Sequence, residues 1–220
     1  MTHPSAREKI LQRLRAAPTQ TIAAPNITAF YEVRPREDQA TRVERLALNL
    51  SNAMAEVHRT TPQDLAGALA KVIQEKSLNR VAVGNELLLR QDLCDVMQTV
   101  CALHPVQSVH AEQAALFERV DAGVTLSDAS IAETGTIVLR SSPQAPRLLS
   151  LVPPVHIVIV DTRHVYDTLF DLMHQEGWSQ GLPTNVILIS SPSKTADIQQ
   201  TLAYGAHGPK QLVVMLVEAR

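Results

Sequence analysis

Three short segments of this 220-residue chain gather side chains that can do chemistry. The first runs Asp128-Ala-Ser-Ile-Ala-Glu-Thr-Gly-Thr136. Glu133 offers a carboxylate, and Thr134 and Thr136 offer hydroxyls. Gly135 permits a positive φ or a close backbone approach. A carboxylate between a loop and a buried strand can act as base, nucleophile or ligand hook. The same residues also suit a plain turn in which Glu133 caps local N–H groups.

The second segment, Ser190-Ser-Pro-Ser-Lys-Thr-Ala-Asp197, reads as the passage from a strand into a helix over 195–203. Ser193 is then the cap, Lys194 and Thr195 stand at the start, and Asp197 follows. Backbone N–H groups and the helix dipole at such a start favour a carboxylate or a phosphate. An ordinary capped helix gives the same pattern, and the G-x-x-x-x-G-K-[ST] phosphate loop is absent. The third segment, Tyr204-Gly-Ala-His-Gly-Pro209, sets His207 between Gly205 and Gly208. His207 could carry a proton, touch an anion or simply bond its own turn. Arg140 and Arg147 could each grip an anion bidentately or lie on the surface. The remaining histidines lack metal-ligand spacing, so no metal is assigned. His156 reads as the start of a strand.

These segments need a frame to hold them. Apolar runs at 80–84, 136–140, 156–160, 185–190 and 211–217 have the near-continuous character of strands covered on both faces. A further strand is expected within 120–126. Helical patterns at 87–100, 111–117, 146–151, 165–175 and 195–203 fall between them. Alternating strand and helix implies an α/β three-layer sandwich on a mainly parallel sheet. Open parallel sheets bind ligands at the carboxyl ends of their strands, near a switch in strand order. An anion site is therefore expected there.

Ahead of this region, Val43, Leu46, Leu50, Met54 and Val57 mark one face of a helix over 38–57. Thr61-Pro62 opens another, reaching about Lys76. Ser5 caps a first helix with Ile10, Leu11 and Leu14 on one face. Residues 18–29 read as a linker or extended arm. The expected division is an N-terminal helical extension with linker over 1–24 and an α/β domain over 25–220.

Composition removes several classes of function. Apolar residues make up 45%, enough for a sizeable core. Aromatics are 3%, too few for stacking platforms on single-stranded nucleic acid. Net charge is −2 with no basic block, so no nucleic acid partner is expected. No apolar run reaches the ~18–20 residues of a membrane span, and the first 15 residues lack a signal-peptide core. A cytoplasmic location is expected. Cys94 and Cys101 match no metal or redox spacing and read as two buried thiols.

Together the segments resemble a known family. Ile131-Ala-Glu-Thr-Gly-Thr-Ile-Val-Leu139, Ser193-Lys-Thr-Ala-Asp-Ile198 and Gly205-Ala-His-Gly-Pro209 are similar to the lactate utilization protein C family, the LUD domain proteins of YkgG type. Pro143, Arg147 and Leu151-Val-Pro-Pro-Val-His-Ile157 look similar too. The resemblance runs from about Arg80 to the C-terminus. It implies the NagB/RpiA/CoA transferase-like fold of sugar-phosphate isomerases, glucosamine-phosphate deaminases and CoA transferases. It also implies a part in oxidising L-lactate to pyruvate beside two iron–sulfur partner proteins, the A and B types. Iron–sulfur clusters are then expected in the partners, with no cofactor in this chain. Two cysteines cannot supply four thiolates to a cluster.

Carried over by position, Glu133, Thr134, Gly135 and Thr136 fall in the first motif. Ser193, Lys194, Thr195 and Asp197 fall in the second, and His207 and Gly208 in the third. Glu133 and His207 would move protons, and the others, with Arg147, would hold a small carboxylate. The family's Gly-Pro-Ser turn has become Ser191-Pro-Ser here, which keeps polarity and gives up freedom at positive φ. Two other roles fit the same residues: a non-catalytic assembly subunit, or an independent enzyme of this fold such as a CoA transferase with Glu133 as nucleophile.

Overall fold

The computed structural model describes residues 5–17, 23–106, 119–196, 202–204 and 208–218. The chain divides into two compact units, 1–35 and 36–220. In the first unit, helix Ala6–Ala16 starts on a capping box in which Ser5 and Glu8 bond each other's backbone. A second helix, Ile27–Glu32, starts at Asn26 inside the expected linker. Neither helix has a buried residue.

The second unit is built on a six-stranded parallel sheet. Its strands are β1 (Glu56–Thr60), β2 (Arg80–Val83), β3 (Ala102–Pro105), β4 (Ala122–Leu126), β7 (Val155–Asp161) and β12 (Gln211–Val217). Their order across the sheet is β1-β12-β7-β4-β2-β3. The two central strands, β7 and β12, pair in register from Val155↔Gln211 to Asp161↔Val217. Successive side chains point to opposite faces. Val155, Ile157 and Ile159 therefore meet helices Leu65–Glu75 and Gln91–Gln98 in one core. Val158, Val160, Leu212, Val214 and Leu216 face the other core, under helix Gln39–Asn52. This double covering is why both strands read as unbroken apolar runs.

The other outer layer also contains a second sheet, which differs from expectation. The runs at 136–140 and 185–190 do form strands, β6 (Thr136–Arg140) and β9 (Val186–Ile189). They pair antiparallel with each other and lie outside the parallel sheet. With β5 (Ala129–Ile131) and β8 (Val165–Tyr166) they make a four-stranded sheet in the order β8-β5-β6-β9. The run over 165–175 thus begins as a strand and becomes helical only at Leu169–Gln175, capped by Thr168.

One expected helix stops earlier than its apolar periodicity, and the other ends at Glu75, next to the expected Lys76. Helix Gln39–Asn52 ends with Met54 at φ 70°, where Met54 N donates to Ser51 O and Ala55 N to Leu50 O. Helix Leu65–Glu75 closes the same way at Ser77, φ 53°. Glycine normally signals this left-handed closure. Met54 gives no such signal, so the helical periodicity runs on in the sequence through Glu56 and Val57, the first two residues of β1. The helix expected over 111–117 lies outside the described residues.

Candidate functional site

Two cavities of similar size lie at opposite edges of the parallel sheet. The first is at its amino edge. Pro153 and Pro154 lead into β7, and Pro209 and Lys210 lead into β12. Lys210 N and Gln211 N both donate to Pro154 O, at 2.8 and 3.2 Å, and Ser193 N donates to Pro209 O at 2.9 Å. These bonds join the start of both strands to the loop after β9. A Cβ on Gly123 would stand 2.1 Å from Leu149 O, so glycine there lets helix Leu148–Leu151 sit directly on β4.

The space left between these parts is a cavity of about 380 Å³. Ile187, Ile189 and Leu212 form apolar wall. Ser150, Ser190 and Ser193 put hydroxyls on it. Gly208 closes one side, and a Cβ there would stand 3.2 Å from Ser193 Cβ. His156 also lines the cavity, in register between Gly123 of β4 and Leu212 of β12. Its Nε2 bonds Thr125 Oγ1 at 2.8 Å. Nδ1 has no partner among the described residues. The ring is fully buried, and burial pushes its pKa down to about 3. It is therefore a neutral imidazole at physiological pH. An unmatched buried polar atom costs about 1–3 kcal/mol.

A line of hydroxyls reaches this cavity from the turn between β5 and β6. Thr134 Oγ1 bonds Thr136 Oγ1 at 2.6 Å, and Thr136 Oγ1 bonds Ser190 Oγ at 2.7 Å. Gly135, at φ 61°, makes the turn possible, since a Cβ there would stand 2.6 Å from Asn49 Cβ.

The second cavity, about 350 Å³, lies at the carboxyl edge. Leu126 ends β4, Asp161 ends β7 and Val217 ends β12, and all three line it. Arg90, Asp128 and Arg163 add charged groups to its wall, beside His164 and Leu65. Arg163 donates from Nε and Nη2 to Asp161, which holds that carboxyl below its usual range. Arg90 holds Asp92 in the same way. Asp128 also borders the narrow gap beside Arg140 and Arg147. Nearby, burial raises the pKa of Glu86, and the charge of Asp128 raises it further.

The sequence-chosen residues divide unevenly between these places. Ser193 and Gly208 line the amino-edge cavity, and Thr134 and Thr136 connect to it through Ser190. Gly208 precedes β12, so this group stands at the amino edge, opposite the edge where an anion site was expected. Glu133 is exposed on the turn and lines neither cavity. Arg147 is exposed beside the small gap. Lys194 and Thr195 do not open a helix. They belong to strand β10 (Lys194–Ala196), paired antiparallel with β11 (Leu202–Tyr204). The helix dipole invoked for anion binding is thus replaced by a strand at Lys194. Asp197 and His207 lie outside the described residues.

The sequence places His156 at a strand start, as β7 shows, but gives no site role to it or to Thr125, Asp161, Arg163 and His164. One signal was available: a lone histidine inside Val155-His-Ile-Val-Ile-Val160, a run otherwise apolar and covered on both faces. The two thiols also differ from expectation. Cys94 is buried and Cys101 only half-buried.

Comparison with known proteins gives a consistent picture. A family model described as "LUD domain" matches residues 43–217. An uncharacterized protein of Neisseria meningitidis serogroup B, NMB1437, is 35% identical, with 97% of this chain and 94% of that protein covered. A protein of Geobacillus kaustophilus named lactate utilization protein C is 30% identical, over 73% of this chain and 72% of its own length. Among solved structures, a crystal structure of a DUF162 family protein from Deinococcus radiodurans matches with a TM-score of 0.61. It is 23% identical and covers 83% of this chain and all of its own. That match establishes the shared fold.

Proposed function

The chain belongs to the LUD domain family, in the lactate utilization protein C group, and we propose that it works in the oxidation of L-lactate to pyruvate beside iron–sulfur partner proteins. Relatives named lactate utilization protein C match it over most of their length, 93% for the one from Halalkalibacterium halodurans. The observation that carries a ligand-binding role is the carboxyl-edge cavity. It lies where open parallel sheets receive ligands. Arg90 and Arg163 each carry five N–H donors, more than one carboxylate uses. A small 2-hydroxy carboxylate fits this set. Its carboxylate would meet the guanidinium groups, and its hydroxyl would lie toward Asp128 and His164. The electrons removed from the substrate would pass to the iron–sulfur partners.

Titration of the purified chain with L-lactate, followed by the ring resonances of His164, tests this directly. Saturable shifts are expected, and Arg90→Gln/Arg163→Gln should move them to roughly 30-fold higher L-lactate concentration. A flat titration of the wild-type chain would leave the carboxyl edge without its ligand.

A second reading, an assembly subunit, is favoured by the first unit. On helix Ala6–Ala16, Ile10 and Leu14 are both more than half exposed. Deletion of residues 1–24 is expected to abolish co-purification with the iron–sulfur partners. Complexes that survive the deletion would rule out that helix as the docking element.

A further inference from the structure

The amino-edge cavity has a chemistry that the lactate reading does not use. We propose that it is a second binding site, for an uncharged organic ligand that sets a carbonyl or amide edge against Ser190, Ser193 and His156 and an apolar body against Ile187 and Leu212.

Size is the first ground. About 380 Å³ lies within the range of small-molecule sites, roughly 300–1,000 Å³. Its composition is the second. Such sites combine apolar walls with a few fixed polar groups, and this one has both. Charge is the third. Among the described residues that line it, none is an Asp, Glu, Lys or Arg. Burial keeps the His156 ring neutral. A carboxylate moved here from water would exchange its hydration for hydroxyl dipoles among the described lining residues. An uncharged group loses far less.

The fourth ground is His156 itself. Nearly all buried polar atoms in folded proteins have a partner. Thr125 takes Nε2, and Nδ1 of this cavity-lining residue has no partner among the described residues. A ligand edge with both a carbonyl and an N–H satisfies Nδ1 in either tautomer. The serine hydroxyls can likewise donate or accept. An apolar ligand would leave His156 Nδ1 unmatched, and an ion would meet no opposite charge among the described lining residues. The chemistry that remains is an uncharged heterocycle or amide.

This proposal is independent of lactate binding, because the two cavities lie at opposite edges of the sheet. Lumichrome is a suitable probe: an uncharged fluorescent ring system with carbonyls and N–H groups on one side and an apolar ring on the other. Its emission is followed as purified full-length chain is added, with and without excess pyruvate. Saturable binding is expected, with no displacement by pyruvate. His156→Phe/Thr125→Val replaces both hydrogen-bonding partners by apolar groups of similar shape and is expected to weaken binding at least tenfold. Should that variant fold poorly, Ser193→Leu fills the cavity from its rim and is expected to have the same effect. Absence of lumichrome binding, full competition by pyruvate, or wild-type affinity in a folded variant would each overturn the proposal.

Discussion

The amino and carboxyl edges of one parallel sheet hold cavities of about 380 and about 350 Å³ with opposite chemistry. At the carboxyl edge, β4 and β7 run out into Asp128, Asp161, Arg163 and His164, and the wall combines charged groups with Leu65, Ile159 and Val217. At the amino edge, the same strands start beneath the second sheet, and the wall is hydroxyl, imidazole and aliphatic. Strand direction accounts for the contrast. Loops leaving the carboxyl ends are open to water and can carry paired charges. The amino ends of β7 and β12 are covered by β9 and helix Leu148–Leu151, where an unpaired charge would be costly. Equal space does not make equal sites.

Disturbing the packing of the amino edge should have the largest effect. Gly123→Ala drives a methyl group into Leu149 O, and overpacking of this kind costs about 3 kcal/mol. Urea unfolding should show the loss, and lumichrome binding should weaken with it. A variant of wild-type stability would mean that helix Leu148–Leu151 does not rest on β4 as described.

Next is the charge at the carboxyl edge. Arg90→Gln/Arg163→Gln should reduce L-lactate affinity roughly 30-fold, a loss of about 2 kcal/mol of charged hydrogen bonding. Stability should change by less than about 1 kcal/mol, because both ion pairs are exposed. Lumichrome binding should not move. Equal losses at both cavities would erase the distinction between the edges.

A pH experiment isolates His156. Its folded pKa, about 3, lies below the unfolded value of about 6.5. The unfolded chain therefore binds the proton first as pH falls, and stability declines between pH 6.5 and 3. The contribution is roughly 2 kcal/mol between pH 6.5 and pH 5. Denaturation of wild type and His156→Phe at these two pH values should show a shallower slope in the variant. Parallel slopes would show that the ring is not buried neutral.

Thr136→Val should give the smallest change, about 1 kcal/mol, from two lost hydroxyl bonds. Hydrogen exchange around Ser190 should report it more sensitively than global unfolding.

These contrasts also explain what could be read from the chain. β7 and β12 were legible because both faces are apolar, so residue type alone marks them. Their neighbours in the site were harder. β6 and β9 look like parallel strands because they are equally apolar, and only pairing distinguishes a second sheet. Thr136 and Ser190 are 54 positions apart, and the strand pairing that joins them leaves no local trace. Ser193 and Gly208 stand out through their motifs, yet their edge of the sheet is the amino one, because β9 before Ser193 belongs to the second sheet and Gly208 precedes β12. His156 was visible as a residue, but its isolation becomes chemical only when the ring is seen to be buried.

The most direct test is growth on L-lactate of a host lacking this chain, supplied with wild type or Arg90→Gln/Arg163→Gln at matched abundance. Rescue by wild type and failure of the variant is the predicted result. Equal rescue by both would contradict a working carboxyl-edge site, and unimpaired growth without the chain would contradict its place in lactate utilization.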